Sequence, residues 1–329
     1  GATGIDVSML KGKKLLNMDS EEEGVMLASC AGGCRADVKL PVERETVSGT
    51  KLTVSLSGLT GGHSGSEIVT GRGNANTLMS RLLRDASAPV AIASIDGGRK
   101  DNAIPRECTA QIIVAPDEAA AVKASIEQAA AEIAEEFKAS DPDLKLTVSE
   151  ETDCSESAIS AKDSARVIAL IEALPNGIIR MSREIDKLVE TSLNLGVLKS
   201  DDAAVTLRYA VRSSVGVAKK SLKNQLVCIA GAFAAEVTFE GDYPAWEYKK
   251  DSKLREDMVR IFEEMYGKKP TVEAIHAGVE CGLLSGKIEG LDCISMGPDM
   301  YDIHTTEERL SISSAKRSYE YILRVIACK

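Results

Sequence analysis

With 329 residues the chain is long enough for about two domains and a sizeable core. Acidic side chains outnumber basic ones by 50 to 40, and the net charge of −10 argues against a nucleic-acid partner. No apolar run reaches the roughly 18–20 residues of a membrane span, no secretory signal is visible, and the eight scattered cysteines read as free thiols of a reducing cytoplasm.

Residues 1–44 read as two strands. Lys14-Leu-Leu-Asn-Met18 runs into Asp19 and an acidic stretch, and Val25-Met-Leu-Ala-Ser29 runs into Cys-Ala-Gly-Gly33. An aspartate just past a buried strand stands where open α/β sheets gather ligands, so Asp19 reads as a metal-binding carboxylate or as a turn cap. Glu21 to Glu23 read as a solvated turn. The opening Gly-Ala-Thr-Gly, with no methionine and a strand soon after, reads as the interior of a longer protein.

Lys51 to Ser57 alternates as a strand does, and Gly58-Leu-Thr-Gly-Gly-His-Ser-Gly65 follows as a loop. His63 stands there among glycines, free to point at a ligand or simply solvated. A helix begins near Asn74. Strands at 90–94 and 107–114 bracket a tight connection that carries Asn102 and is stopped by Pro105. Residues 117–139 form the clearest helix, with an apolar stripe from Val122 to Phe137. A strand at 144–148, a helix at 160–174, a hairpin of 189–198 with 203–212, a helix at 217–234 and a strand at 236–239 follow. Residues 45–241 thus read as an inserted α+β domain of two units, the second repeating the order of the first.

Gly241-Asp-Tyr-Pro-Ala-Trp246 marks the return to the first domain, whose parts are 1–44 and 242–329. Helices are expected at 251–266, at 274–284 and at 311–327, the last with Ile312, Ala315, Tyr319, Ile322, Leu323 and Ile326 inward. The strand 292–296 leads into a loop that holds His304. Asp19 and His304 each follow a buried strand and suit one divalent ion, zinc best, but two ligands are too few for a hydrolytic site.

Nine stretches in chain order resemble the aminoacyl-histidine (Xaa-His) dipeptidases, within the dizinc peptidases. They are Asn17-Met-Asp-Ser-Glu-Glu-Glu-Gly24, Cys30-Ala-Gly-Gly33, Gly61-Gly-His-Ser-Gly65, Gly73-Asn-Ala-Asn76, Asn102-Ala-Ile-Pro-Arg106, Thr191-Ser-Leu-Asn-Leu-Gly196, Val211-Arg-Ser-Ser214, His276-Ala-Gly-Val-Glu-Cys-Gly282 and the run from Gly297 through His304 to Leu310. The resemblance implies an α/β fold: part of a two-zinc catalytic domain interrupted by an α+β lid that also dimerises. It implies that Asp19 and His304 ligate metal, and that His63 stabilises the oxyanion, often in the partner subunit's site. It further implies that Asn102, Arg212 and Gly278 contact substrate, Arg212 gripping the C-terminal carboxylate. A cytoplasmic homodimer hydrolysing carnosine-like dipeptides is the expectation. The family's His-x-Asp pair, bridging aspartate and Glu-Glu have no counterpart in this chain, so it is expected to be inactive alone. A broader aminopeptidase or deacylase of the same superfamily, or a non-catalytic dimerisation fragment, stays open beside this reading.

Overall fold

The structure, a computed structural model, describes residues 4–303 and 305–328. The chain lays down β1 (Lys14–Asn17), β2 (Val25–Cys30), β3 (Gly32–Pro41) and β4 (Arg44–Ser57). The short β5 (Gly62–His63), α1 (Ala75–Arg84), β6 (Ala91–Gly97), β7 (Ala103–Ile104) and β8 (Cys108–Val114) follow. Next come α2 (Ala119–Phe137), β9 (Lys145–Ile159), α3 (Ala161–Ala173), β10 (Gly177–Met181), β11 (Val189–Ser200), β12 (Ala204–Ser213), α4 (Gly216–Ala232) and β13 (Glu236–Tyr243). The remainder is α5 (Lys253–Tyr266), β14 (Thr271–Ile275), α6 (Glu280–Lys287), β15 (Asp292–Ser295), the pair β16 (Met300–Tyr301) and β17 (Arg309–Leu310), and α7 (Ile312–Ala327).

Two sheets carry the architecture. The larger has nine strands in the order β13-β3-β12-β11-β6-β8-β4-β9, with β10 on β11. Its alternating apolar residues, among them Val38, Val54, Ile112, Leu195 and Val211, share one core with residues of α1, α2, α3 and α4. The two units expected from the element order are therefore one continuous sheet. They join where β11 pairs antiparallel with β6, Leu198 opposite Gly97 and Lys199 opposite Asp96. The smaller sheet has the order β1-β15-β2-β14. Met26, Ile294, Met258, Phe262, Tyr321 and Val325 form its core against α5 and α7, and Cys30, Trp246, Cys281 and Cys293 fill its other side.

The strand β3 belongs to the larger sheet, between β12 and β13. The chain thus crosses between sheets at Ala31, well before residue 44. The return crossing lies directly beside it. The amides of Cys30 and Trp246 each donate to the other's carbonyl, at 3.0 and 3.1 Å, and a Cβ on Gly32 would stand 2.4 Å from the Ala245 nitrogen.

The inward face of α7 differs from the apolar stripe seen in its sequence. Ser314, Ser318, Tyr321 and Val325 are buried, the Tyr321 hydroxyl donating to the Met258 carbonyl at 2.7 Å. Ile312, Tyr319, Leu323 and Ile326 are exposed. The reason is the partner surface: α5 offers Phe262 and Tyr266 to the Tyr321 ring, and the Ser314 hydroxyl accepts from the Asp299 amide at 2.9 Å. Val325→Ala should cost about 1.5 kcal/mol in urea unfolding, whereas Ile326→Ala should stay within about 0.5 kcal/mol. The reverse order of losses would return the apolar stripe to the core.

Candidate functional site

A cleft of about 770 Å³ runs along β2 and β14, lined by Asp19, Glu21, Glu22, His63, Gly278 and Ile303 among others. Asp19 reaches it two residues past the end of β1. The cleft brings together three of the residues singled out from sequence, Asp19, His63 and Gly278, within a single chain. His63 lines this cleft from the loop around β5. His304 lies outside the described residues; Ile303 before it lines the same cleft.

The His63 loop is tightly held. The His63 amide donates to Glu67 at 2.7 Å, and Arg72 ties Glu67 to the Gly61 carbonyl. Backbone amides of Gly65 and Ser66 point at His63 Nδ1 from 3.3 and 3.2 Å. A nitrogen that accepts cannot carry the proton, so the proton sits on Nε2, which has no partner among the described residues. Burial, and then the Arg212 charge, hold the His63 pKa below its ordinary value. The result is a neutral imidazole with one free N–H donor.

The strand β14 and the turn after it occupy residues expected to be helical from 274 onward. β14 extends β2 in parallel and delivers His276, Ala277 and Gly278 to the larger sheet. There a row of side chains crosses four strands: Ser192 opposite Arg212, Arg212 opposite Gly33, and Gly33 opposite Tyr243. The neighbours Leu193 and Val211 point into the helix-covered core, so Ser192 and Arg212 point the other way, towards the turn. His276 Nε2 bonds the Ser192 hydroxyl at 2.7 Å. Gly278 lies against the Tyr243 ring, where a Cβ would come within 2.9 Å. Arg212 Nη1 donates to the Tyr243 hydroxyl at 3.4 Å, while its buried Nε has no partner.

Asn102 sits in the connection between β6 and β7. Its carbonyl accepts from the Ser64 amide at 2.9 Å, and β5 pairs with β7 beside it, but its side chain is exposed to solvent. Asn194 on β11 donates to the carbonyls of Asp101 and Ala103, on either side of Asn102, and so anchors the turn. Glu23 is not part of a solvated turn: Arg317 of α7 grips both its oxygens. Among the described residues no group of three or more His, Cys, Asp or Glu side chains is arranged to hold a metal ion, so Asp19 lacks a full donor set there. Sequence reasoning missed Tyr243, Ser192 and the reach of His276. The one signal for them is the pair of glycines, Gly33 and Gly278, that Tyr243 packs between.

His276 is 5% exposed. Burial, followed by the Arg212 charge, lowers its pKa from 6.5 to about 4; the near carbonyl of Val189 opposes this and the neighbouring His63 adds to it. The unfolded chain takes up a proton near pH 6.5 that the folded chain resists until about pH 4. This contribution to stability is complete above pH 6.5 and is lost as pH falls through that window. Urea unfolding should give a stability about 2 kcal/mol lower at pH 5 than at pH 7. The difference should shrink in His276→Gln; an unchanged difference would show that this imidazole is not the group responsible.

The comparisons with known proteins fit this geometry. A family model described as the M20 peptidase dimerisation domain matches residues 54–141. The cytosol non-specific dipeptidase of Escherichia coli (strain K12) is 34% identical over 318 residues, covering 95% of this chain and 65% of the relative. The chain therefore spans about two thirds of the length of that curated relative. The crystal structure of aminoacylhistidine dipeptidase from Vibrio alginolyticus superposes with a TM-score of 0.92 at 32% identity, over 99% of this chain and 68% of that one. With its α/β architecture and its dimerisation domain, the chain belongs to the aminoacyl-histidine dipeptidase family of M20 peptidases.

Proposed function

We propose that this chain supplies the lid, the oxyanion donor and the carboxylate anchor of a cytoplasmic, metal-dependent dipeptidase acting on Xaa-His dipeptides. The observation that carries the reading is His63: two backbone amides occupy Nδ1, so Nε2 is left as a fixed neutral donor on a residue lining the Asp19 cleft. Such a donor stabilises the negative oxygen that forms when water adds to a peptide carbonyl. Arg212, which has no ion pair among the described residues, takes the C-terminal carboxylate of the dipeptide. Gly278 brings its backbone to the same end of the cleft, and Asn102 adds a polar contact when substrate is bound. The nine-stranded layer acts as the lid and the four-stranded sheet as part of the catalytic domain.

Asp19, with His304, is the chain's contribution to a divalent-metal site, zinc being the best match to these ligand types. The described residues alone do not complete that site. The purified chain with added zinc should not hydrolyse β-alanyl-histidine or glycyl-histidine; zinc-stimulated turnover would overturn this. In a longer version that also carries the family's Glu-Glu segment, His63→Ala should lower kcat roughly 10²- to 10³-fold.

The name of the Escherichia coli relative favours a second reading, a dipeptidase without preference for histidine; comparable turnover of leucyl-glycine by the longer version would select it. The matched dimerisation domain supports a homodimer. The β6 and β11 edges are consumed within the chain, so the contact must use other surfaces of the larger layer. Light scattering should give twice the chain mass, and a strict monomer at about 50 μM would remove the dimer from the proposal.

A further inference from the structure

The turn after β14 holds a group that the proposed reaction has not used. The His276 ring passes from the smaller sheet to the larger one, where Nε2 meets the Ser192 hydroxyl at 2.7 Å. That hydroxyl has no other partner among the described residues. Ser192 is the cross-strand neighbour of Arg212, and directly opposed residues hold their Cβ atoms about 5 Å apart on one face. The imidazole therefore stands beside the guanidinium.

Both groups are incomplete. His276 Nδ1 and Arg212 Nε are buried without a hydrogen bond; the Val189 carbonyl is near the ring but does not reach bonding geometry. Buried polar atoms left unpaired are costly, and both belong to basic side chains, which an anion satisfies. The Ser192 hydroxyl can donate to Nε2, which puts the ring proton on Nδ1 and makes it a donor. Two unpaired donors are then available on neighbouring residues, the charged Nε–H of Arg212 and the neutral Nδ1–H of His276.

We propose that His276, oriented by Ser192, is a second anchor for the carboxylate that Arg212 binds. The inference rests on the reading of Arg212 as the carboxylate anchor. The anion contacts the lid through Arg212 and the smaller sheet through His276, so a ligand with a free carboxylate ties the two layers together. A ligand with a blocked C-terminus gains neither bond, and His276 thereby sharpens the choice of free dipeptides over longer or amidated peptides.

The test uses the full 329-residue chain labelled with 15N in its three histidines, which single substitutions assign. The probe is unlabelled N-acetyl-L-histidine, and the control is its amide, which lacks the carboxylate. The acid, and not the amide, should shift the His276 nitrogens and raise that ring's apparent pKa. His276→Ala should weaken the acid about tenfold while leaving amide binding unchanged, and His276→Asn, which keeps a donor, should recover part of the loss. Ser192→Ala should change the His276 tautomer pattern and weaken only the acid. The proposal is overturned if the acid binds with the His276 signals unmoved, if His276→Ala keeps the acid-over-amide preference, or if the wild-type chain shows no such preference. Thermal melts of the variants separate lost binding from lost folding. Acid selectivity in a longer version that hydrolyses no dipeptide would leave this inference standing and remove the dipeptidase reading; turnover with a silent His276 would do the reverse.

Discussion

The cleft depends on one constraint, the approach of the 276–278 turn to a row of the larger sheet. Ser192, Arg212, Gly33 and Tyr243 stand abreast on β11, β12, β3 and β13. Glycine in the third place is what the packing demands, since a Cβ there would come within 2.7 Å of the Tyr243 hydroxyl. With Gly33 bare, the Tyr243 ring can lie between the row and Gly278 and offer its hydroxyl to Arg212. The His63 loop closes over the same turn: Gly65 packs on the His276 carbonyl so closely that a Cβ would be 2.5 Å away. The His63 loop, the Arg212 guanidinium and the turn are thereby located by contacts with one another.

The link between the layers is a second constraint. The outgoing and returning crossings are hydrogen-bonded side by side at Cys30 and Trp246, with the Ser29 hydroxyl also on the Trp246 carbonyl. Such a two-stranded strap resists twisting more than a single linker, yet it can bend about its own width. Lys219 steadies the return limb by bonding Asp242 and the Tyr243 carbonyl. Motion of one layer against the other therefore passes through residues directly joined to the Tyr243 end of the row.

Much of the fold was legible because its causes are local. Strict alternation announced β4 and the β11–β12 hairpin, and the Asn74 and Ser160 side chains cap α1 and α3 where the helices were expected. What stayed hidden is set by distant pairing. β3 reads as an extension of the first domain until β12, far along the chain, pairs with it. The inward face of α7 was misread because hydrophobicity alone pointed to Ile312, Tyr319 and Ile326, whereas α5 receives the Tyr321 ring and the loop before α7 receives the Ser314 hydroxyl. The site followed the same rule. Motif residues announced His63, Asp19 and Gly278, and the cleft unites them; Asn102 was correctly placed on the loop, but its side chain turns to solvent. Ser192, His276 and Tyr243 gain their meaning from sheet register, which no single segment contains.

The seam between β6 and β11 has a consequence for how the chain reaches this state. Each half of the larger layer can form its hairpins early, but their union needs residues near 97 to find residues near 198, and such distant closure is slow. Until then each half presents an unpaired strand edge, the feature by which nascent chains capture one another. Asp96 and Lys199 lie opposite each other across the finished seam. Joining the two halves of one molecule sets unlike charges together, whereas joining identical edges of two molecules in the same register would set aspartate against aspartate or lysine against lysine. A single pair of exposed side chains thus biases the nascent chain towards closing on itself.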